Sequence, residues 1–258
     1  MWDPAVYRRF GAERSRPFAD LVARVDATAP RAVVDLGCGP GELTAGLAGR
    51  WPAARLSGID SSAEMIAKAR SLGAPVDFAV GDVHSWAPEP DVDVVVSHAV
   101  LQGVPGHEEL LTRGAGTLAP GAWLAFQVPG NFAAPSHRAL HAVAAEEPFA
   151  AVVAPVLRPE PVRDAATYAD LLAGAGCRVD AWETTYVHQL PDDAAEHPVL
   201  RWMEGTALRP VQAALDDAGW RLFRARLDAR LAAAYPARRG TVYFPFRRIF
   251  VVARTASR

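Results

Sequence analysis

A short apolar run, Ala32-Val33-Val34-Asp35-Leu36, passes directly into Gly37-Cys38-Gly39-Pro40-Gly41-Glu42, and no other feature constrains the fold of this chain as strongly. The run has the continuous, β-branched character of a strand buried on both faces. Glycines at alternate positions let the backbone turn tightly and pass close beneath a ligand before a helix begins. Strand, glycine turn and helix together make the opening of a parallel βαβ unit.

The rhythm then repeats. A helix is predicted over residues 42–50, with Pro52 at its exit, and a strand over 55–59. Ser61-Ser62-Ala63-Glu64 reads as a capping box for a helix to about Arg70. Strands follow at 76–80 and 92–96, then a helix over 107–118 stopped by Ala119-Pro120-Gly121, then a strand over 123–128. Upstream, Asp3-Pro4 is a capping residue followed by proline at the first helical position, and it predicts a helix to about Val25.

Beyond Pro129 the alternation breaks. Residues 129–164 are proline-rich and read as irregular; 167–173 reads as helix, 178–186 as strand, 191–234 as mainly helical and 248–252 as a last strand. The expectation is one α/β domain over residues 1–258, with a sheet core of about 30–130, 165–190 and 241–254. Residues 1–25, 129–164 and 191–234 are expected to form a mainly helical lid over the carboxyl edge of that sheet.

The glycine spacing separates ligand classes. Dinucleotide sites use G-x-G-x-x-G, which puts a pyrophosphate on a helix N-terminus. Here the spacing is G-x-G-x-G, with Asp35 before it and Glu42 after it. Carboxylates there repel a pyrophosphate and suit a ligand carrying an ammonium and a sulfonium, as S-adenosylmethionine does. Asp60 ends the second strand, where an acid can accept both ribose hydroxyls. Asp82 follows the third strand in Gly81-Asp82-Val83, where an acid can accept the exocyclic amine of adenine. One acid at a strand end is often only a helix cap, but three at successive strand ends are not explained by capping alone. The predicted cofactor site is Asp35, Gly37, Cys38, Gly39, Gly41, Asp60, Ser61, Asp82 and Val83.

Composition removes several other classes. Twenty-nine acids against 27 Lys plus Arg give a net charge of −2, so no polycation suggests nucleic acid as a partner. No run reaches the roughly 20 apolar residues of a membrane span, and the start of the chain has no signal-peptide character. Cys38 and Cys177 lie far apart, which suits free thiols in the cytoplasm. Lys68 is the only lysine, so the cationic chemistry is guanidinium, the group best matched to carboxylates. His137 and His141 are one helical turn apart, but with no HExxH motif or cysteine ligand beside them no metal is expected. A short-chain dehydrogenase needs Tyr-x-x-x-Lys, and Lys68 is preceded four residues earlier by Glu64.

A resemblance extends well beyond the glycine loop. Phe10-Gly11-Ala12-Glu13-Arg14-Ser15-Arg16-Pro17, Trp51-Pro52-Ala53-Ala54-Arg55, Thr184-Thr185-Tyr186-Val187-His188-Gln189, Leu208-Arg209-Pro210 and 248–254 resemble the trans-aconitate methyltransferases, a family of class I methyltransferases. The resemblance implies a Rossmann-like seven-stranded sheet with an antiparallel last strand, and S-adenosylmethionine at the carboxyl ends of the first strands. It also implies methylation of one carboxylate of a small polycarboxylate to a monomethyl ester. The chain departs from the family at Leu101-Gln102-Gly103 and Gly130-Asn131-Phe132, where tryptophan is usual at the third position, and this predicts an enlarged acceptor pocket.

Such chemistry needs no general base, because an acceptor carboxylate with a pKa of roughly 4 is already ionised at neutral pH. The useful groups hold the non-reacting carboxylates: arginines, tyrosine hydroxyls and imidazoles. Candidates are Tyr7, Arg14, Tyr186, His188, Arg209 and Arg248, with His98 and Asn131 as lining residues. Each has a plainer reading: Arg14 could pair with Glu13 or Asp20, Arg209 could serve a helix end, and His188 could be a structural residue. The family segments move Arg14, Tyr186, His188 and Arg209 toward acceptor binding. The competing expectations are another small carboxylate or a natural-product hydroxyl as acceptor, and a nucleoside-binding protein without catalysis.

Overall fold

The computed structural model describes residues 11–158 and 161–257, with the side chains of residues 11–14 outside that description. Seven strands form one sheet: β1 (Ala32–Leu36), β2 (Arg55–Asp60), β3 (Asp77–Val80), β4 (Val92–His98), β5 (Trp123–Pro129), β6 (Cys177–Pro191) and β7 (Thr241–Thr255). Their order is β3-β2-β1-β4-β5-β7-β6, with β1 to β5 parallel and β7 antiparallel to β5. β1 is buried at every position, as a continuous apolar run between two helical layers must be. The strand order reverses between β1 and β4, and the gap beyond their carboxyl ends is where open α/β sheets take ligands.

By contacts the chain divides into two compact units. Among the described residues, the sheet unit comprises 14–129, 162–184 and 248–257; the helical unit comprises 11–13, 130–158, 161 and 185–247. Within the sheet unit, α1 (Gly11–Val22), α2 (Glu42–Arg50), α3 (Ala63–Ser71), α4 (His107–Thr117) and α6 (Ala165–Gly174) cross between or cover strands. Its core is mainly aliphatic, with Val34, Val95, Leu111, Leu124 and Val251 among its members and Phe126 and Tyr168 as its buried rings. Within the helical unit, α5 (Pro135–Ala144), α7 (Pro198–Glu204), α8 (Arg209–Ala214) and α9 (Asp217–Ala234) surround an aromatic core containing Phe149, Trp202, Phe223, Tyr235 and Phe244.

Four local expectations are corrected. Ser62, not Ser61, caps α3: its hydroxyl accepts from Met65 N–H, and Ser61 is exposed. A helix occupies 135–144 within the stretch read as irregular, because Pro135 sits in the first turn, where its missing N–H costs nothing. β6 and β7 run well past the predicted 178–186 and 248–252. The end of β6 alternates: Tyr186, His188 and Leu190 are buried while Val187 and Gln189 are exposed, a half-buried pattern that a search for apolar runs passes over. α1 ends at Val22 rather than Val25, and the predicted start at Asp3-Pro4 lies outside the described residues.

Candidate functional site

The glycine loop at the end of β1 is held on one side and open on the other. Gly37, Gly39 and Gly41 have φ of 79°, 55° and 86°, all in the left-handed region that side chains resist. A Cβ on Gly37 would lie 2.1 Å from Val100 Cγ2, and one on Gly41 would lie 2.7 Å from Ala69 Cβ. A Cβ on Gly39 would meet nothing within 4 Å. The N–H groups of Gly37 and Cys38 both donate to Ile59 O, at 2.8 and 3.0 Å, which ties the loop to the end of β2.

Two of the three predicted acids lie beside this loop. Asp35 is 3 % exposed; its Oδ2 accepts from Thr44 Oγ1 at 2.6 Å, and its Oδ1 is buried with no partner among the described residues. Burial, opposed by the Thr44 hydrogen bond and aided by the charge of Asp60, pushes the Asp35 carboxyl up to about 7. Asp60 is half-buried and accepts from Gly39 N–H at 3.0 Å and from Ser62 N–H at 2.8 Å. It therefore braces the loop and the entry to α3, using two of its roughly four lone-pair positions. Asp82 is exposed and its Oδ1 accepts from His84 N–H at 2.9 Å, while Val83 is buried in the sheet-unit core. Cys38 is buried, and burial together with Asp35 and Asp60 pushes its thiol up to about 12, so it stays a neutral filler of the loop.

An ammonium fits this arrangement. A buried carboxylate oxygen without a donor is costly alone and is satisfied by a cationic N–H. The open side of Gly39 leaves room for a ligand above the backbone.

On the other side of the reversal, Ala99 follows β4 with φ of 57°, a position of about 1–3 kcal/mol strain for a residue bearing a Cβ. Its N–H donates to Gln127 O at 2.9 Å. His98, at the end of β4, meets the ring of Phe18 edge-on with centroids 5.5 Å apart. His98 is in register with Gln127 of β5, and Gln127 Oε1 accepts from Arg248 Nη1 at 3.3 Å. Arg248 is 5 % exposed on β7. The structure thus draws His98 and Arg248 onto the carboxyl end of the sheet through Gln127.

Tyr7 and the side chain of Arg14 lie outside the described residues; Asn131, Tyr186, His188 and Arg209 belong to the helical unit. His188 is buried and stacked on Trp202, with centroids 4.5 Å apart at 26°, and Phe246 lies 5.7 Å away. Tyr186, two residues earlier on the same face of β6, is also buried. Asn131 is buried; its Oδ1 accepts from Arg247 N–H at 2.6 Å and its Nδ2 has no partner among the described residues. Arg209 opens α8 and is exposed. His137 is edge-on to Phe132 at 5.1 Å, and burial with the nearby charge of His141 lowers its pKa to about 4, so it is neutral at pH 7. No helix among the described residues is long and apolar enough to cross a membrane.

Thr44, Ala99, Gln127 and Trp202 were not singled out from the sequence. A threonine in a helix, a glutamine in a strand and an alanine just past a strand carry no local signal, and Trp202 reads only as core. Their importance comes from partners brought close by folding.

A doubly wound sheet with an antiparallel β7, a G-x-G-x-G turn at its strand-order reversal and acids around that turn defines the class I methyltransferase fold. Residues 33–121 match the model of a methyltransferase domain family. The YcgJ protein of Bacillus subtilis shares this fold at a TM-score of 0.61 and 12 % identity, with 94 % of this chain and 99 % of that one covered. Phosphoethanolamine N-methyltransferase 2 of Haemonchus contortus, solved with S-adenosyl-L-methionine, aligns at a TM-score of 0.54 and 15 % identity over 94 % of this chain and 53 % of that one.

Closer relatives are found by sequence. Trans-aconitate 2-methyltransferase of Mycolicibacterium gilvum is 57 % identical over 98 % of this chain and 99 % of its own length. The protein of the same name from Mycobacterium tuberculosis (strain ATCC 25177 / H37Ra) is 51 % identical over 98 % of this chain and 96 % of its own length. The chain belongs to the trans-aconitate 2-methyltransferase family, and it is an S-adenosylmethionine-dependent methyltransferase.

Proposed function

We propose that the chain transfers a methyl group from S-adenosylmethionine to one carboxylate of a small polycarboxylate, trans-aconitate first among them, and works in the cytoplasm. The observation that carries the cofactor side is the buried, unpartnered Oδ1 of Asp35 beside the open face of Gly39. In this reading Asp35 takes the methionine ammonium, and Gly37, Cys38, Gly39 and Gly41 supply the backbone floor. Asp60, with Ser61 beside it, takes the ribose hydroxyls through its remaining lone pairs, and Asp82 with Val83 borders the adenine. When bound, S-adenosylmethionine supplies a methyl group on a sulfonium, ready for in-line displacement.

The acceptor side rests on the full-length similarity to relatives named for trans-aconitate and on the kind of groups available. A carboxylate nucleophile needs no proton removed, so the protein's task is alignment and exclusion of water. Arg248 and His98 on the sheet, and Arg14, Tyr7, Tyr186, His188, Asn131 and Arg209 elsewhere, are the residues proposed to hold the non-reacting carboxylates. A specific observation keeps a second acceptor in view. Gly103 is exposed, and a Cβ there would meet nothing within 4 Å, so space stands where the family usually places an indole. This favours another small carboxylate, or a hydroxyl on a larger natural product, as the alternative.

The test is incubation with labelled methyl donor and a panel of di- and tricarboxylates, followed by alkaline hydrolysis. Base-labile label on trans-aconitate, with a kcat at saturating methyl donor that holds as pH falls from about 8 to 6, is the expected result. A rate that collapses near neutral pH in kcat points instead to a general base and a hydroxyl acceptor.

A further inference from the structure

Thr44 lies on the buried face of α2 at 1 % exposure, and its Oγ1 is 2.6 Å from Asp35 Oδ2. That distance is typical of a hydroxyl donating to an ionised carboxylate. Asp35 sits at the end of β1, and its Oδ1 is the oxygen left without a partner among the described residues. We propose that Thr44 is a positioning residue of the cofactor site: its hydroxyl fixes the Asp35 carboxylate so that Oδ1 faces the ligand's ammonium. The inference rests on the reading of Asp35 as the ammonium-binding group.

The electrostatics around Asp35 are closely balanced. Burial raises its pKa, Thr44 alone opposes burial, and Asp60 at the end of β2 adds to the rise. Cys38, in the loop that follows β1, faces the same carboxylate as a neutral thiol. Among the described residues no cation acts appreciably on Asp35. Near neutral pH the empty site therefore holds a mixture of neutral and ionised Asp35, and an ammonium ligand selects the ionised form. Binding to the neutral fraction releases one proton from Asp35 to solvent, so affinity rises with pH through that range. Replacing the hydroxyl with a methyl group removes the donor that favours the charged form and leaves the shape unchanged.

The test is calorimetric titration with S-adenosylhomocysteine between about pH 6 and 8, on wild type, Thr44→Val, Thr44→Ser and Asp35→Asn, with a melting temperature for each. Wild-type affinity should rise with an inflection near 7, the value set by the Asp35 environment. In Thr44→Val the inflection should move up by about one pH unit, with roughly fivefold weaker binding at neutral pH. Thr44→Ser should stay within about threefold of wild type, because it keeps the donor. Asp35→Asn should bind weakly and without pH dependence. If Thr44→Val keeps the wild-type inflection and affinity while Asp35→Asn is weak, Thr44 has no positioning role and the cofactor reading stands. If Asp35→Asn binds as wild type does, the reading of Asp35 falls and the inference with it. Should Thr44→Val fail to fold, Thr44→Ala is measured in its place and read the same way.

Discussion

The end of β1 and the surroundings of His188 present polar groups from apolar cores by different means. At β1 the groups on the open side of the loop are largely backbone: three glycines in left-handed conformation, with Gly37 and Cys38 tied to β2 through Ile59 O and Gly39 braced by Asp60. Around His188 the polar group is a side chain, held by ring contacts with Trp202, Phe244 and Phe246 and not by a backbone turn. The core beneath the loop, with Ile66, Ala69 and Phe78 packed at Cys38, fixes main chain. The aromatic core of the helical unit fixes side-chain orientation. In the proposed reading the cofactor uses the first arrangement and the acceptor the second, where one ring exchange would reshape the site.

The contrast can be broken most forcefully at Trp202. Removing its indole leaves a cavity among buried rings, and Trp202→Ala should lose about 3–5 kcal/mol of stability, read by chemical denaturation. Trp202→Phe should keep the fold and raise KM for the acceptor, with S-adenosylhomocysteine affinity unchanged in calorimetry. Weakened cofactor binding in Trp202→Phe would erase the proposed division between the two regions.

Gly37→Ala attacks the other region. Its Cβ would collide with Val100 at 2.1 Å, and the residue would be strained at φ of 79°. The expected cost is about 2–4 kcal/mol together with loss of cofactor binding. Wild-type melting temperature and affinity would show that Val100 yields and that the loop is not held as described.

Asp35 sharpens the comparison through pH. Its carboxyl is pushed up to about 7 in the folded chain, against about 3.9 when unfolded, so the folded state binds more protons between those values. The cost of ionising it in the fold is fully present above 7 and shrinks as pH falls. Cofactor-free protein should therefore gain about 1 kcal/mol from this group between roughly pH 8 and 6, and Asp35→Asn should lose that slope. Equal slopes in both proteins would mean that Asp35 stays ionised throughout.

The smallest effect on stability is expected at Gly39→Ala. With nothing within 4 Å of the added Cβ, only the conformational strain at φ of 55° remains, about 1 kcal/mol. The methyl group would occupy the open face of the loop, so S-adenosylhomocysteine should bind at least tenfold more weakly although the protein melts almost as wild type does. Unchanged affinity would place the ligand elsewhere.

Much of this was legible in the chain itself. The strands of the βα repeat, the G-x-G-x-G turn and the acids at successive strand ends follow from residue order, because burial on both faces and left-handed turns each demand particular residues in a fixed succession. The family segments added the antiparallel last strand, which the pairing of β5 with β7 confirms. Tertiary structure alone decided the rest. It placed Thr44 on Asp35, drew Arg248 to Gln127 from more than a hundred positions away, and set His188 on Trp202. It also extended β6 and β7 through half-buried segments and moved the cap of α3 from Ser61 to Ser62. Periodicity and turn chemistry act between neighbours in the chain and can be read there. A hydrogen bond or ring stack between distant residues depends on which faces the packed core brings together, and the linear order of residues does not record that.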